Sequence, residues 1–126
     1  MDRLGLIGKP SDWLIASTYD VETIRTRLNC ELVEIDICEV TTLGEVESGE
    51  AGALKIYNRL REIVDTYQLT GLTLRCFDLL TTVKNTGCLA LAKLNAEGIP
   101  AACEGDVPAL LTMVLAHRQT GCSGFQ

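Results

Sequence analysis

The feature that most constrains this chain is a strict alternation between short apolar runs and stretches of helical periodicity. Arg3–Gly8 (RLGLIG) is almost continuously apolar or glycine, as a strand buried on both faces must be. Asp20–Leu28 reads as a short helix, with Asp20 placed as its N-cap and Val21, Ile24 and Leu28 on one face. Glu31–Ile37 then alternates, with Val33, Ile35 and Ile37 on one side and Glu34 and Asp36 on the other. That period predicts a half-exposed strand at a sheet edge. Gly49–Gln68 holds the longest helix, carried by Ala53, Tyr57, Leu60, Val64 and Tyr67. Leu72–Cys76 is a third strand, and a polar loop, Phe77–Gly87, leads to a helix at Cys88–Glu97 that stops at Gly98. Ile99–Cys103 is the fourth strand and Glu104–Asp106 a tight loop. Val107–Thr120 is the last helix, with Pro108 in its first turn and Gly121 just past its end.

Strands and helices in strict alternation predict a parallel sheet with right-handed crossovers and helices on both faces. With the alternating strand at one edge, the expected fold is an α/β three-layer, flavodoxin-like (Rossmann-like) domain with strand order 2-1-3-4. A chain of 126 residues suits a single domain of this kind. The fourth strand (IPAAC) is apolar throughout and no fifth follows it, so self-association through that strand or the helices beside it is expected.

Composition removes several classes of function. A net charge of −6 opposes binding to a phosphate backbone, so nucleic acid is not an expected partner. The longest apolar stretches, such as Val107–Leu111 and Met113–Ala116, fall far short of the roughly 20 residues that cross a membrane. No basic segment precedes a hydrophobic run at the start, so a cytoplasmic protein is expected. The six cysteines (Cys30, Cys38, Cys76, Cys88, Cys103 and Cys122) contain no CxxC pair. With 47% hydrophobic residues the core needs no disulfide framework, and the expectation is six reduced thiols, mostly buried.

In an open parallel sheet, ligands bind outside the carboxyl ends of the strands. The loops there are Lys9–Ser17, Phe77–Gly87 and Glu104–Asp106. Gly5 and Gly8 do not make GxGxxG, Gly8-Lys9 is not a phosphate loop, and no GxSxG is present. Carboxylates remain: Asp78 past strand three, and Glu104 and Asp106 flanking Gly105. Adjacent strands lie ~5 Å apart, so these acids can converge on one oxygen-ligated cation, Mn²⁺ or Mg²⁺. Each has a plainer reading too, Asp106 as the N-cap of the last helix and Asp78 as a loop acid. An acid directly after an apolar strand is costly unless paired, which singles out Glu104. Trp13, in the first of these loops, can be core or can line a sugar pocket. His117 reads as a surface or packing residue of the last helix.

Three stretches carry a resemblance to a known family. Gly98–Gly121 (GIPAACEGDVPALLTMVLAHRQTG), Leu72–Asp78 (LTLRCFD) and the opening RLGLIGKPSDWLIAS closely resemble the middle doubly wound domain of L-fucose/L-arabinose isomerases. The Glu-Gly-Asp turn is the most specific element. The resemblance implies a metal-dependent aldose–ketose isomerase, using Mn²⁺, oligomeric, and acting through an enediol. It implies that Glu104 ligates the metal and transfers a proton, and that Asp106 matches the acid of the fucose-type turn. Asp78 matches the acid of the preceding strand, usually Glu in the family. The family's first doubly wound domain and its β-rich C-terminal domain, which supplies a metal-binding histidine, have no counterpart in these residues. The expectation is therefore a domain of a longer isomerase that on its own binds Mn²⁺ weakly and does not turn over. His117 cannot replace the missing ligand, since eleven helical residues put it roughly 16 Å from Asp106. The alternative reading is a non-catalytic sugar- or metal-binding module on the same fold.

Overall fold

The computed structural model of the chain describes residues 1–10 and 18–122. Its elements follow the alternation: β1 (Asp2–Ile7), α1 (Val21–Leu28), β2 (Cys30–Ile35), α2 (Cys38–Thr41), α3 (Glu50–Tyr67), β3 (Gly71–Leu74), α4 (Asp78–Thr82), α5 (Cys88–Ala96), β4 (Ala101–Cys103) and α6 (Val107–Thr120). The four strands form one sheet in the order β2-β1-β3-β4, and every pairing is parallel. The α/β three-layer fold and the edge position of the alternating strand are as expected. Two single-turn helices were not anticipated. Both α2 and α4 begin three or four residues past the end of a strand, and neither is long enough to show a period.

The central strand, β1, explains the near-continuous apolar run at the start of the chain. Leu4 and Leu6 face one core and Ile7 the other. The larger core lies under α3 and α5, with Ile56, Leu60, Leu72, Leu74, Leu79 and Leu94 all fully buried. The smaller core lies under α1 and α6 and is built on Leu4, Ile24, Val107 and Leu110. At roughly 1.5–3 kcal/mol for each large apolar side chain removed from water, these two cores supply the main force that holds the layers.

Helix ends are set by the residues the sequence marks for them. Asp20 accepts the Glu22 N–H at 3.2 Å, and Asp106 accepts the Ala109 N–H at 3.0 Å. Gly121 closes α6 in the left-handed region, at φ 78°. At the other end of the sheet, the outer edge of β4 is covered from within the chain. The Asn95 side chain of α5 donates to the Ala101 carbonyl and accepts from the Ala101 N–H, each at 2.9 Å. That amide takes the backbone pair that an added strand would have used.

The cysteines depart from expectation. Cys76 and Cys103 are joined in a disulfide, with their Cα atoms 6.2 Å apart. The parallel pairing of β3 with β4 puts Leu74 opposite Cys103, so Cys76 emerges beside it once the strand has ended. Of the rest, Cys30 is buried, whereas Cys38, Cys88 and Cys122 are exposed. Counting cysteines could not reveal a bridge that depends on strand register.

One ion pair ties the two ends of the smaller core together. Arg118 of α6 donates from Nε to Asp2 Oδ2 at 2.8 Å and from Nη1 to the Leu28 carbonyl at 2.9 Å, closing the end of α1. Burial pushes the Asp2 carboxyl up, but the hydrogen bonds from Arg118 and Thr70 and the guanidinium charge outweigh it. The net result is a carboxyl below its ordinary value. A depressed carboxylate stabilises the fold above its unfolded pKa of about 3.9, and that contribution is lost as pH falls through the folded value. Both side chains are partly exposed, which limits the pair to about 1 kcal/mol. Arg118→Met should therefore lower stability by about 1 kcal/mol at neutral pH. In urea melts the gap between variant and parent should narrow as pH falls below about 4. A gap that does not change with pH would assign the loss to the carbonyl contacts alone.

Candidate functional site

A doubly wound sheet parts its crossovers where the chain reverses direction across it, here between β1 and β3. At the carboxyl ends of β1, β2 and β3 lies a crevice of about 570 Å³. Lys9 and Pro10 follow β1, Asp36 and Ile37 follow β2, and Arg75 and Asp78 follow β3. The ladders run on past the strands into its floor, with Gly8 N–H donating to the Ile35 carbonyl and Arg75 N–H to the Ile7 carbonyl. Gly8 has φ 84°, and a Cβ there would stand 3.0 Å from the Arg75 Cβ. Only glycine lets the end of β1 turn this close to the arginine.

The crevice is lined by both signs of charge. Arg75 pairs with Asp78 at 3.3 Å and donates to the Pro10 carbonyl at 3.4 Å, bracing two of the three loops against each other. Asp36 accepts the Cys38 N–H at 2.9 Å, a bond that holds its carboxyl below the usual range. Lys9, Arg75 and Asp36 are lining residues that the sequence reading passed over. They carry no motif, and only the register of the strands brings them together.

The expected acids do not meet at one point. Asp78 lines this crevice and is engaged by Arg75. Glu104 lines a separate cavity of about 300 Å³ between the ends of β3 and β4 and the start of α5. Asp106 spends one oxygen on the N-terminus of α6. Among the described residues, no group of three or more His, Cys, Asp or Glu side chains is placed to hold a metal ion. As placed, the three acids do not fit a Mn²⁺ or Mg²⁺ site by themselves. Trp13 falls outside the described residues. His117 lies at the opposite pole, in a hollow with Asp2, Gly98 and Arg118 at the amino ends of the strands.

Glu104 differs from Asp78 and Asp106 in its backbone. The turn from β4 to α6 is closed by the Asp106 N–H donating to the Cys103 carbonyl at 3.2 Å, and both residues inside it have positive φ. Gly105, at φ 69°, sits so close to the loop after β1 that a Cβ would meet the Lys9 carbonyl oxygen at 2.8 Å. Glu104, at φ 65°, adopts a conformation costing an ordinary residue roughly 1–2 kcal/mol. Asn29, Gln68 and Lys84 share this region at helix ends, so what marks Glu104 is the same strain at the carboxyl pole of the sheet, where strain bears on function. The rigid turn locks the β4 end against the crevice-forming loop.

No family model matches the chain, and no match is found among curated proteins. The class is thus defined by architecture, an all-parallel doubly wound α/β domain with its loops gathered at one pole. No helix among the described residues is long and apolar enough to cross a membrane.

Two substitutions separate strain from fit at the turn. Glu104→Gly should be neutral or stabilising by up to about 1 kcal/mol, because glycine occupies positive φ without penalty. Gly105→Ala should cost more than about 1 kcal/mol, from the same φ and from the clash with Lys9. Chemical denaturation of both variants checks the pair. A stability loss in Glu104→Gly would show that its side chain, not its backbone, decides the conformation.

Proposed function

We propose that this chain is the sugar-binding doubly wound domain of an aldose–ketose isomerase of the fucose/arabinose type. The observation that carries the reading is the strained Glu104-Gly105 turn, braced against the loop that forms the crevice. It is also the place where the sequence most closely resembles that family. In this reading the crevice takes a polyhydroxylated ligand. Arg75 and Lys9 donate to hydroxyl oxygens, and Asp36 and Asp78 accept from hydroxyls, the mixed set that a neutral sugar requires. The resemblance assigns Glu104 the exchange of the C–H proton beside the carbonyl on the way through an enediol; because Glu104 lines the neighbouring cavity and not the crevice, that step belongs to the longer protein and not to this chain alone. The Mn²⁺ that the resemblance implies draws the rest of its ligands from outside the described residues. A homo-oligomer belongs to the same proposal.

The separation of the three acids favours one further reading, a module of the same fold that binds sugar without converting it.

Titration of the isotope-labelled chain with L-fucose or L-arabinose should move the amide resonances of Gly8, Asp36 and Arg75, with a dissociation constant in the millimolar range, about −4 kcal/mol. Arg75→Met should weaken this about tenfold, near 1.4 kcal/mol. An unperturbed crevice at about 100 mM sugar would remove the proposal, since even a weak site is mostly filled there.

Metal and turnover separate the two readings. About 1 mM Mn²⁺ should stabilise the chain by less than roughly 0.4 kcal/mol, the limit when the dissociation constant is no lower than that concentration. No ketose should form from either sugar with this chain alone. Ketose that appears with Mn²⁺ and is lost in Glu104→Gln would assign catalysis to the chain itself.

A further inference from the structure

Three of the six cysteines line one cavity. Cys76, Cys88 and Cys103 stand around the roughly 300 Å³ space between the ends of β3 and β4 and the start of α5. Two of them are bridged, and the third is an exposed thiol. A Cβ on Gly87, the residue immediately before Cys88, would lie 3.6 Å from the Cys76 Cβ. The remaining walls include Phe77, Leu80 and Leu91, and both Phe77 and Leu80 are 45% exposed, so the space opens to solvent along an apolar rim.

The bridge is not what holds these strands together. β3 and β4 are already paired from Leu72–Ala101 to Leu74–Cys103, and the Thr73 hydroxyl donates to the Cys103 carbonyl at 3.2 Å. Leu72, Leu74 and Leu79 beneath them are fully buried. Neither this pairing nor the packing of these leucines is made by the disulfide. A bond that the fold does not require, facing a solvent-open cavity beside an exposed thiol, has the setting of an exchangeable disulfide.

We propose that Cys76, Cys88 and Cys103 form a thiol–disulfide exchange site for low-molecular-weight thiols. Cys76 is 5% exposed and Cys103 only partly buried, so the incoming thiolate reaches the Cys103 sulfur. Attack forms an RS–S(Cys103) bond and breaks the Cys76–Cys103 bond. The electron pair leaves on Cys76, which takes up a proton. The Cys88 thiolate then attacks the sulfur that carries R. The mixed disulfide moves to Cys88, and Cys103 leaves as a thiolate and is protonated. A second RS⁻ attacks the R-bearing sulfur on Cys88, releasing RSSR and the Cys88 thiolate. In sum, two RSH are oxidised to RSSR and one protein disulfide is reduced to two thiols, with Cys88 unchanged.

The probe is 2-mercaptoethanol, small and uncharged, applied to the oxidised chain at neutral pH. Thiols are trapped with N-ethylmaleimide at intervals and mapped by peptide mass spectrometry, and circular dichroism follows the fold. Cys76 and Cys103 should become labelled together while the helical signal is unchanged. The 2-mercaptoethanol adduct should appear on Cys88. Cys88→Ser should slow full opening about tenfold and shift the adduct to Cys103, because only a second external thiol can then resolve it. Cys38→Ser, which removes an exposed thiol away from the cavity, should react at the parental rate. An oxidised chain in which Cys76 and Cys103 are already alkylated, or a bridge that opens only as the fold is lost, would overturn the proposal. So would a Cys88→Ser variant that opens at the parental rate.

Discussion

Parallel strands cannot be rejoined by a hairpin, because each must be re-entered from the same end, and the chain has to cross a face of the sheet between them. Most of this molecule follows from that constraint. Every crossover carries a helix, and the helices divide between the two faces, giving one core under α3 and α5 and a second under α1 and α6. Every loop that leaves a strand does so at the same pole. That pole therefore receives Lys9, Asp36, Arg75, Asp78 and Glu104 from segments far apart in sequence, whereas His117 and the Asp2–Arg118 pair are left at the other. The crevice follows from topology first, and its chemistry follows from which residues happen to end each strand.

The same distinction explains what could be read before the structure. Period and composition report what a residue does within its own element, and there the reading held. The two-sided burial of β1, the edge position of β2, the Asp20 and Asp106 caps and the Gly121 stop all rest on local signals. What could not be read depends on register between elements. Arg75 bracing Pro10, Asn95 closing the outer edge of Ala101 and Cys76 meeting Cys103 are contacts between distant segments. The short helices α2 and α4 escaped for another reason, since four or five residues cannot display a 3.6-residue period.

Adjacent strands are close, and from that alone the acids of β3 and β4 should converge. They do not, because closeness of strands does not settle the direction of the loops that follow them. After β3 the chain winds into α4, which carries Asp78 towards the β1 side and into the grip of Arg75. After β4 the turn reverses through two positive φ values, and Glu104 is left over the cavity on the α5 side. Asp106 is drawn back to cap α6. Three carboxylates within one pole thus serve three different local demands.

The disulfide bears on this division. It joins the residue before Glu104 to a residue two before Asp78, so it spans the two loops whose acids point apart. While it is closed, the ends of β3 and β4 are held by a covalent bond as well as by the ladder, and the separation of Glu104 from Asp78 is set by two rigid attachments. Besides the bridge, the segment beyond Leu74 is held by the Arg75–Asp78 pair, by the Arg75 hydrogen bonds to the Ile7 and Pro10 carbonyls and by the buried Leu79, and the segment beyond Cys103 by the Asp106–Cys103 hydrogen bond and the Gly105 contact. α4 is a single turn whose Leu79 is fully buried, while its Asp78 is held by a partly exposed ion pair worth about 1 kcal/mol at most. The Glu104 turn is wedged between its own backbone hydrogen bond and the Lys9 carbonyl. The bridge therefore links two loops that each carry anchors of their own, and with them the crevice that holds Asp78 and the cavity that holds Glu104.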